Sequence, residues 1–503
     1  MMPIIRFCMA IALGLTAASA QTPADSTIQK DTLFTQADTP EPEPGPLDFQ
    51  VAPMDSEYEN AFHEPLELKP ALHPAITFAE VLGQDAFVWY YDRYIIDKHY
   101  AQVNLHIWKR NFKEGWKWDD NSFGINFFGH PTQGMFYYHA ARSSGYGFYA
   151  SYLYTLLGSY NWEMFCEREY PSTNDLIVTS VGGATYGEMF YRISSRALAK
   201  MHPNYIDQGT AFVTAPLSYL QRQAIGARTH NPGYAPIDLS VRLGGGIRFG
   251  NDYRYDQEER DEGDWNEQSG FAGFNLVYGR PNRRVKEPFD YFTVDFTQDY
   301  GHDGMLFHLE TSGKLKNFTL NSGNNWVDVG AYLNFDTFYG DLIEMSANTI
   351  GIGADMNVWL SQNLKFRLIN MPSFVLLGSS DFNYEDILAE KDSSYEATRT
   401  YQLSTGMNYR LTTELLYKNI GCFKNTTSGY LFKTMPKSEP HYGARGYDIV
   451  AFNSANLEGF LPWGINVGVR LETYLKVAAY TGEDFDPMYR LMHSIGGYVR
   501  YNL

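Results

Sequence analysis

Cysteine, basic charge and long apolar runs are all scarce in this chain of 503 residues, and each scarcity removes a class of protein. Three cysteines rule out a disulfide framework. Cys8 falls in an apolar leader, which leaves Cys166 and Cys422 and one bridge at most. Forty Lys+Arg against 58 Asp+Glu give a formal charge of −18, so no basic face exists to displace counterions and no nucleic-acid partner is expected. No stretch reaches the roughly 18 uncharged apolar residues of a spanning helix. The mean hydropathy of −0.36 likewise excludes a multi-span helical membrane protein. No phosphate loop or dinucleotide fingerprint occurs, and Gly244-Gly245-Gly246 lies inside an alternating segment.

What is abundant is aromatic residues, 16% of the chain with 38 Tyr, beside 44 Gly. A soluble enzyme seldom carries so much tyrosine. A β-barrel does, because only every second residue of each strand meets lipid. The length leaves room for two or three domains.

Residues 1–20 read as a secretory signal, with Arg6 as its only charge, an apolar stretch and an Ala18-Ser19-Ala20 cleavage site. Residues 21–75 read as a Pro/acid-rich linker, an extended tether that cannot bury enough surface to order itself. Residues 76–228 read as a helical module. Apolar residues recur at helical spacing in Phe78–Tyr94, Val103–Phe112, Gln133–Ser143, Phe148–Glu167, Asn174–Val181 and Tyr186–Lys200. Gly145, Gly147, Gly182 and Gly183 supply breaks, and Ser172 is placed to cap a helix start.

Residues 229–503 change period from 3.6 to 2. In Ile237–Phe249 the odd positions are apolar, and Asp238, Arg242 and Arg248 stand on the other face. Val327–Phe335, Ile350–Leu360, Tyr401–Leu411, Ile465–Leu475 and Ile495–Leu503 repeat the alternation, and Phe292–Phe296 and Phe307–Thr311 are shorter instances. About ten to twelve strands are expected, with Asn251–Gly270, Asp381–Ser394 and Lys433–Arg445 as longer loops. A soluble β-sandwich shows the same alternation. The export signal, the polar second rows and the strand-like C-terminus favour a barrel, whose closure removes exposed edges. The expected class is α+β: an N-terminal helical module followed by an antiparallel transmembrane β-barrel in the bacterial outer membrane, with lipid as its partner.

The densest polar pattern lies within the module. It runs Asn126, His130-Pro131, Gly134 with Tyr137, Ala141-Arg142 with Gly145, and Gly158-Ser159 with Trp162-Glu163. It continues with Pro171-Ser172, Asn174-Asp175, and Gly187-Glu188 with Tyr191-Arg192. In order and spacing this resembles an uncharacterised bacterial envelope family, domain of unknown function 3943. Ala150 departs from the acid expected before Ser151, and Ala215-Pro216 and Gln221-Arg222 reduce two later pairs of the pattern. The resemblance implies an outer-membrane location and no particular activity.

Ser151, Ser159, Glu163 and Glu167 follow one helix face, and Glu188 and Arg192 form a four-residue pair. Two carboxylates one turn apart repel unless a cation or shared proton lies between them. The leading reading is a structural network of Asn126, Arg142, Asn174, Glu188 and Arg192 that docks the module under or inside the barrel. Whether the chain is an enzyme stays open. A hydrolase of envelope lipid or glycan is the alternative, with His130 as base, Glu163 or Asp175 as its orienter, and Ser151 or Ser159 as nucleophile. A metal set of His130, Glu163, Glu167 and Asp175 is weaker, with a single histidine, and no metal or cofactor is called for. A soluble periplasmic binding protein is the third class.

Overall fold

From Ile237 onward the chain runs up and down as twelve antiparallel strands, each paired with the next, and the last pairs with the first. The computed structural model describes residues 50–51, 69–199, 202–228, 235–254, 265–301, 304–340, 343–381, 399, 401–439, 444–481 and 487–503. The strands are β1 (Ile237–Arg254), β2 (Trp265–Tyr278), β3 (Phe292–Gly301), β4 (Gly304–Ser322), β5 (Asn325–Gly340) and β6 (Glu344–Trp359). They continue as β7 (Leu364–Asp381), β8 (Tyr401–Tyr417), β9 (Gly421–Thr434), β10 (Gly446–Phe460), β11 (Ile465–Tyr480) and β12 (Met488–Asn502). Tracing paired residues from Ile237 once round the wall returns to Tyr253 of the same strand. That stagger is the shear a closed barrel of tilted strands requires.

The alternation read in the sequence becomes an inside and an outside. Leu243, Ile352 and Met407 stand outward, each more than 60% exposed, on the belt that faces lipid in a transmembrane barrel. The chain is therefore a bacterial outer-membrane β-barrel. The inward rows line the lumen and meet across it. Arg470 of β11 bonds Asp299 of β3 at 2.6 Å, and Lys476 of β11 bonds Asp381 of β7 at 2.6 Å. Asp336 of β5 accepts from Arg410 of β8 at 2.7 Å and from Tyr430 of β9 at 2.8 Å. Alongside, the rings of His308 and Phe338 stack at 4.0 Å, and Phe452 from the opposite wall closes on both, at 4.7 and 5.2 Å.

Ahead of the barrel lie α1 (Pro74–Tyr94), α2 (Leu105–Glu114), α3 (His130–Ser143), α4 (Phe148–Asn161), α5 (Thr173–Ile177), α6 (Gly183–Ala197), α7 (Tyr205–Thr214) and α8 (Pro216–Ile225). Among the described residues no helix is long and apolar enough to cross a membrane, which says nothing of the strands. The Ser172 hydroxyl caps α5 by accepting from the Asp175 N–H at 3.2 Å, as its position implied. Gly182 and Gly183 do not break the chain. It passes through a π-helical turn, Val178–Gly182, directly into α6. The reason is packing: Gly183 lies against Gly134 so closely that a side chain on either would meet the other's backbone. The two helices α7 and α8 and the strands β2, β7, β9 and β10 go beyond the elements read from periodicity. Trp265–Gly270 is strand, not loop.

The module is docked on the barrel by polar and ion-pair contacts, as expected, but the surface it takes is neither the underside nor the lumen. Phe335 and Tyr339 of β5 point opposite to Asp336 and Phe338, hence outward. Phe335 meets the ring of Tyr186 and Tyr339 that of Phe123, at 4.9 and 5.3 Å. Phe307 of β4 and Tyr401 of β8 are outward too and touch Phe128 and Phe127. One apolar core joins Met135, Tyr138, Ala184 and Met189 of the helices to Leu239, Leu276, Phe292 and Leu333 of the wall. Inward side chains meet one another across the lumen, and the helices lie against the outward rows of the wall.

The signal at 1–20 and most of the linker at 21–75 lie outside the described residues. Gln50–Val51 pairs with Asn321 and Leu320 on β4, and Lys69 bridges Arg228. Cys166 and Cys422 are free thiols.

Candidate functional site

Three π-helical turns interrupt the module, at Ile125–Gly129, Trp162–Cys166 and Val178–Gly182. Such turns carry one extra residue and often mark functional positions. The candidate residues gather at them. His130 follows the first, Glu163 lies within the second, and Asp175 stands one turn before the third. Between them the helices hold two buried polar clusters.

The first cluster is balanced. Arg142 of α3 grips Glu188 of α6 with two hydrogen bonds, from Nε at 2.7 Å and Nη2 at 2.8 Å. Arg192, one turn beyond Glu188, donates to it at 2.6 Å, and the Tyr138 hydroxyl adds another at 2.6 Å. Both arginines also reach the β2–β3 connection: Arg142 bonds Glu287 at 3.0 Å, and Arg192 bonds Asp290 and the Pro288 carbonyl, each at 2.8 Å. Burial would raise the Glu188 pKa, but the two guanidiniums outweigh it and hold the carboxyl down to about 2. This cluster clamps the helices to the barrel.

The second cluster is not balanced. His130 Nε2 and Asp175 Oδ1 are 3.4 Å apart, and a Glu163 carboxylate oxygen lies within 4.8 Å of both. All three residues are buried, at 7%, 1% and 2% exposure. Glu163 Oε2 accepts from the Ser172 N–H at 2.8 Å, whereas its Oε1 has no hydrogen-bond partner. Asn174 donates to Asp119 at 2.5 Å and Asp175 at 3.0 Å, and Asn126 donates to Asp119 at 2.9 Å and to the Tyr401 hydroxyl oxygen at 2.6 Å. Burial, then the charges of Asp175 and Glu167, push Glu163 well above the carboxylate range. Burial, then Asp119, does the same to Asp175. Glu167, bonded to the Trp162 indole at 3.2 Å, is pushed up to about 8 by burial and then by Asp175. Burial lowers His130, against Glu167 and Asp119. Thr179 completes the set, its hydroxyl 3.3 Å from His130 Nδ1.

The five residues read as one network thus divide. Arg142, Glu188 and Arg192 form the clamp, while Asn126 and Asn174 serve the acidic cluster. Neither arginine relieves Glu163 or Glu167. Of the proposed catalytic sets, the structure brings His130, Glu163 and Asp175 together but not the serines. Ser151 points its hydroxyl at the Tyr146 carbonyl at 3.5 Å, and Ser159 is buried with an unpaired hydroxyl; neither contacts His130. The hydroxyl that does is Thr179, which no motif singled out. Glu287 and Asp290 escaped notice because two acids in the connection between two strands look like any solvated loop. Tyr401, at the start of a strand, was likewise unmarked.

Residues 115–217 match the family described as Domain of unknown function (DUF3943). No protein of curated function matches the chain. Solved structures with similar coordinates include an outer membrane channel from Pseudomonas putida F1, 10% identical over 53% of this chain and 96% of that one, with a TM-score of 0.28. The NanC porin is 10% identical over 53% and 100%, at 0.26. The outer membrane channel DcaP of Acinetobacter baumannii is 8% identical over 54% and 97%, at 0.21. Scores of this size carry no functional weight, and the barrel stands on its own register and burial.

Proposed function

With the DUF3943 domain carried on residues 115–217, we propose that this protein is a non-conducting outer-membrane barrel whose wall serves as the scaffold for its helical module. The observation that carries this is an aromatic layer that crosses the lumen. His308, Phe338 and Phe452 form it, and the void beside that layer, also lined by Asp299, Glu472 and Tyr474, holds only about 20 Å³. At that level of the lumen this is roughly the room one water needs. The module, in turn, presents Tyr149, Leu153 and Leu157 outward along one face of α4, each at least 44% exposed. This exposed apolar face suits outer-membrane lipid as the partner.

The hydrolase reading draws on one observation, the line of Thr179 hydroxyl, His130 ring and Asp175 carboxylate. All three are enclosed, and a substrate would need the helices to part. Planar-bilayer recording on the whole protein tests the scaffold reading. Wild type is expected to show no unitary current steps, and the double substitution Phe338→Ala with Phe452→Ala is expected to introduce them. Steady channel openings in the wild type would sink the proposal.

A further inference from the structure

The acidic cluster poses a problem that the clamp does not. Burying a carboxylate is tolerable when it is paired, and a buried oxygen without a donor carries the full cost of its lost water. Glu163 Oε1 is such an oxygen, in a residue only 2% exposed. Among the described residues no lysine or arginine bonds Glu163 or Asp175, and the further acids Asp119 and Glu167 act on the same place.

We propose that His130, Glu163 and Asp175 are the protein ligands of an enclosed site for a divalent transition-metal ion, Zn²⁺ or Mn²⁺. The His130 Nε2 to Asp175 Oδ1 distance of 3.4 Å is long for a charge-assisted hydrogen bond. It is the edge expected of a coordination shell, since two ligands about 2.1 Å from one ion at a tetrahedral angle lie roughly 3.4 Å apart. The Glu163 oxygen within 4.8 Å of both needs a side-chain adjustment of an ångström or so to join them. Thr179 at Nδ1 orients the ring so that Nε2 is the nitrogen turned to Asp175, and Asn174 holds the Asp175 carboxylate at 3.0 Å. Such outer partners fix the tautomer and direction of ligating groups. One imidazole with two carboxylates suits Zn²⁺ or Mn²⁺ better than Ca²⁺, which takes six to eight oxygens. The three ligands come from the separate segments His130–Ser143, Trp162–Cys166 and Thr173–Ile177, so a bound ion would lock the helices together where the arginine clamp does not reach.

The test uses the whole protein extracted from outer membranes in detergent. Elemental analysis after exhaustive dialysis should find about one equivalent of Zn²⁺ or Mn²⁺ per chain. Stripping with chelator should lower the melting temperature, read by the heat-dependent gel shift, by about 5 °C or more, and adding back Zn²⁺ or Mn²⁺ but not Ca²⁺ should restore it. Glu163→Gln, nearly isosteric, should lose at least nine-tenths of the bound ion and the response to chelator. The wild-type measurements stand even if that variant does not fold. A wild-type protein that is ion-free as isolated and melts identically with and without Zn²⁺ or Mn²⁺ overturns the proposal, and so does Glu163→Gln retaining a full equivalent.

Discussion

Two buried polar clusters lie in one helical module, and they solve the burial of charge in opposite ways. Around Glu188 each negative charge has a guanidinium against it, and every bond is short. Around Glu163 four carboxyl groups and one histidine converge, and among the described residues no lysine or arginine bonds Glu163 or Asp175. The first arrangement is complete within the chain, because Arg142 and Arg192 satisfy Glu188 and then extend to Glu287 and Asp290. The second requires something added, either protons or a cation. The lesson is that burial alone does not define a site; the balance of donors and acceptors around the buried groups does.

The strongest way to break the contrast is to unbalance the balanced cluster. Glu188→Gln leaves two enclosed guanidiniums facing each other and should destabilise the module by about 3–5 kcal/mol. Denaturant unfolding followed by tryptophan fluorescence measures it; a loss below about 1 kcal/mol would mean the clamp is ornamental.

Next in size is the pH response, where the clusters carry opposite signs. Glu188 has its folded pKa lowered from 4.5 to about 2, so its stabilisation is present above 4.5 and is lost as pH falls from there toward 2. Glu167 has its folded pKa raised from 4.5 to about 8. Its contribution, made by the neutral acid, is full below 4.5 and is lost as pH rises through 8. In chelator-treated protein, Glu167→Gln should flatten the alkaline limb of stability against pH and leave the acid limb. Unfolding midpoints between pH 3 and 9 check this, and an unchanged alkaline limb would show that Glu167 is an ordinary carboxylate.

The smallest effect sharpens the comparison from within the clamp. Tyr138→Phe removes one of several donors to Glu188 and should cost about 1 kcal/mol, because the arginines remain. A loss as large as that of Glu188→Gln would show that the hydroxyl, not the charge pairing, holds the cluster.

Much of this was legible from the residues. The period of 2 in Ile237–Phe249 and Ile465–Leu475 assigned the rows that became wall exterior and lumen, because side chains on a strand alternate by covalent geometry. The Glu188–Arg192 pair followed from helical spacing, and the Ser172 cap from its hydroxyl ahead of Asn174 and Asp175. The π-helical turn through Gly182-Gly183 was not legible. Glycine spacing reads as a break, and only the close approach of Gly134 shows why the helix continues there. Thr179 was missed for a similar reason: a threonine beside Ser180 in an otherwise apolar stretch gains its role from the histidine that another helix brings to it.

By itself the sequence determined which residues would be apolar neighbours and which would be polar ones, since period and capping are properties of short stretches. It could not determine who those neighbours are. Val329 and Phe335 stand on the same outward row of β5, yet the first is 43% exposed and the second is fully buried beneath Tyr186. Lipid and an apolar helix face make the same chemical demand of a strand, so alternation cannot tell them apart. The same holds for charge. Glu163 and Glu188 are each a carboxylate on a helix, and only the tertiary fold gave arginines to one and further carboxylates to the other.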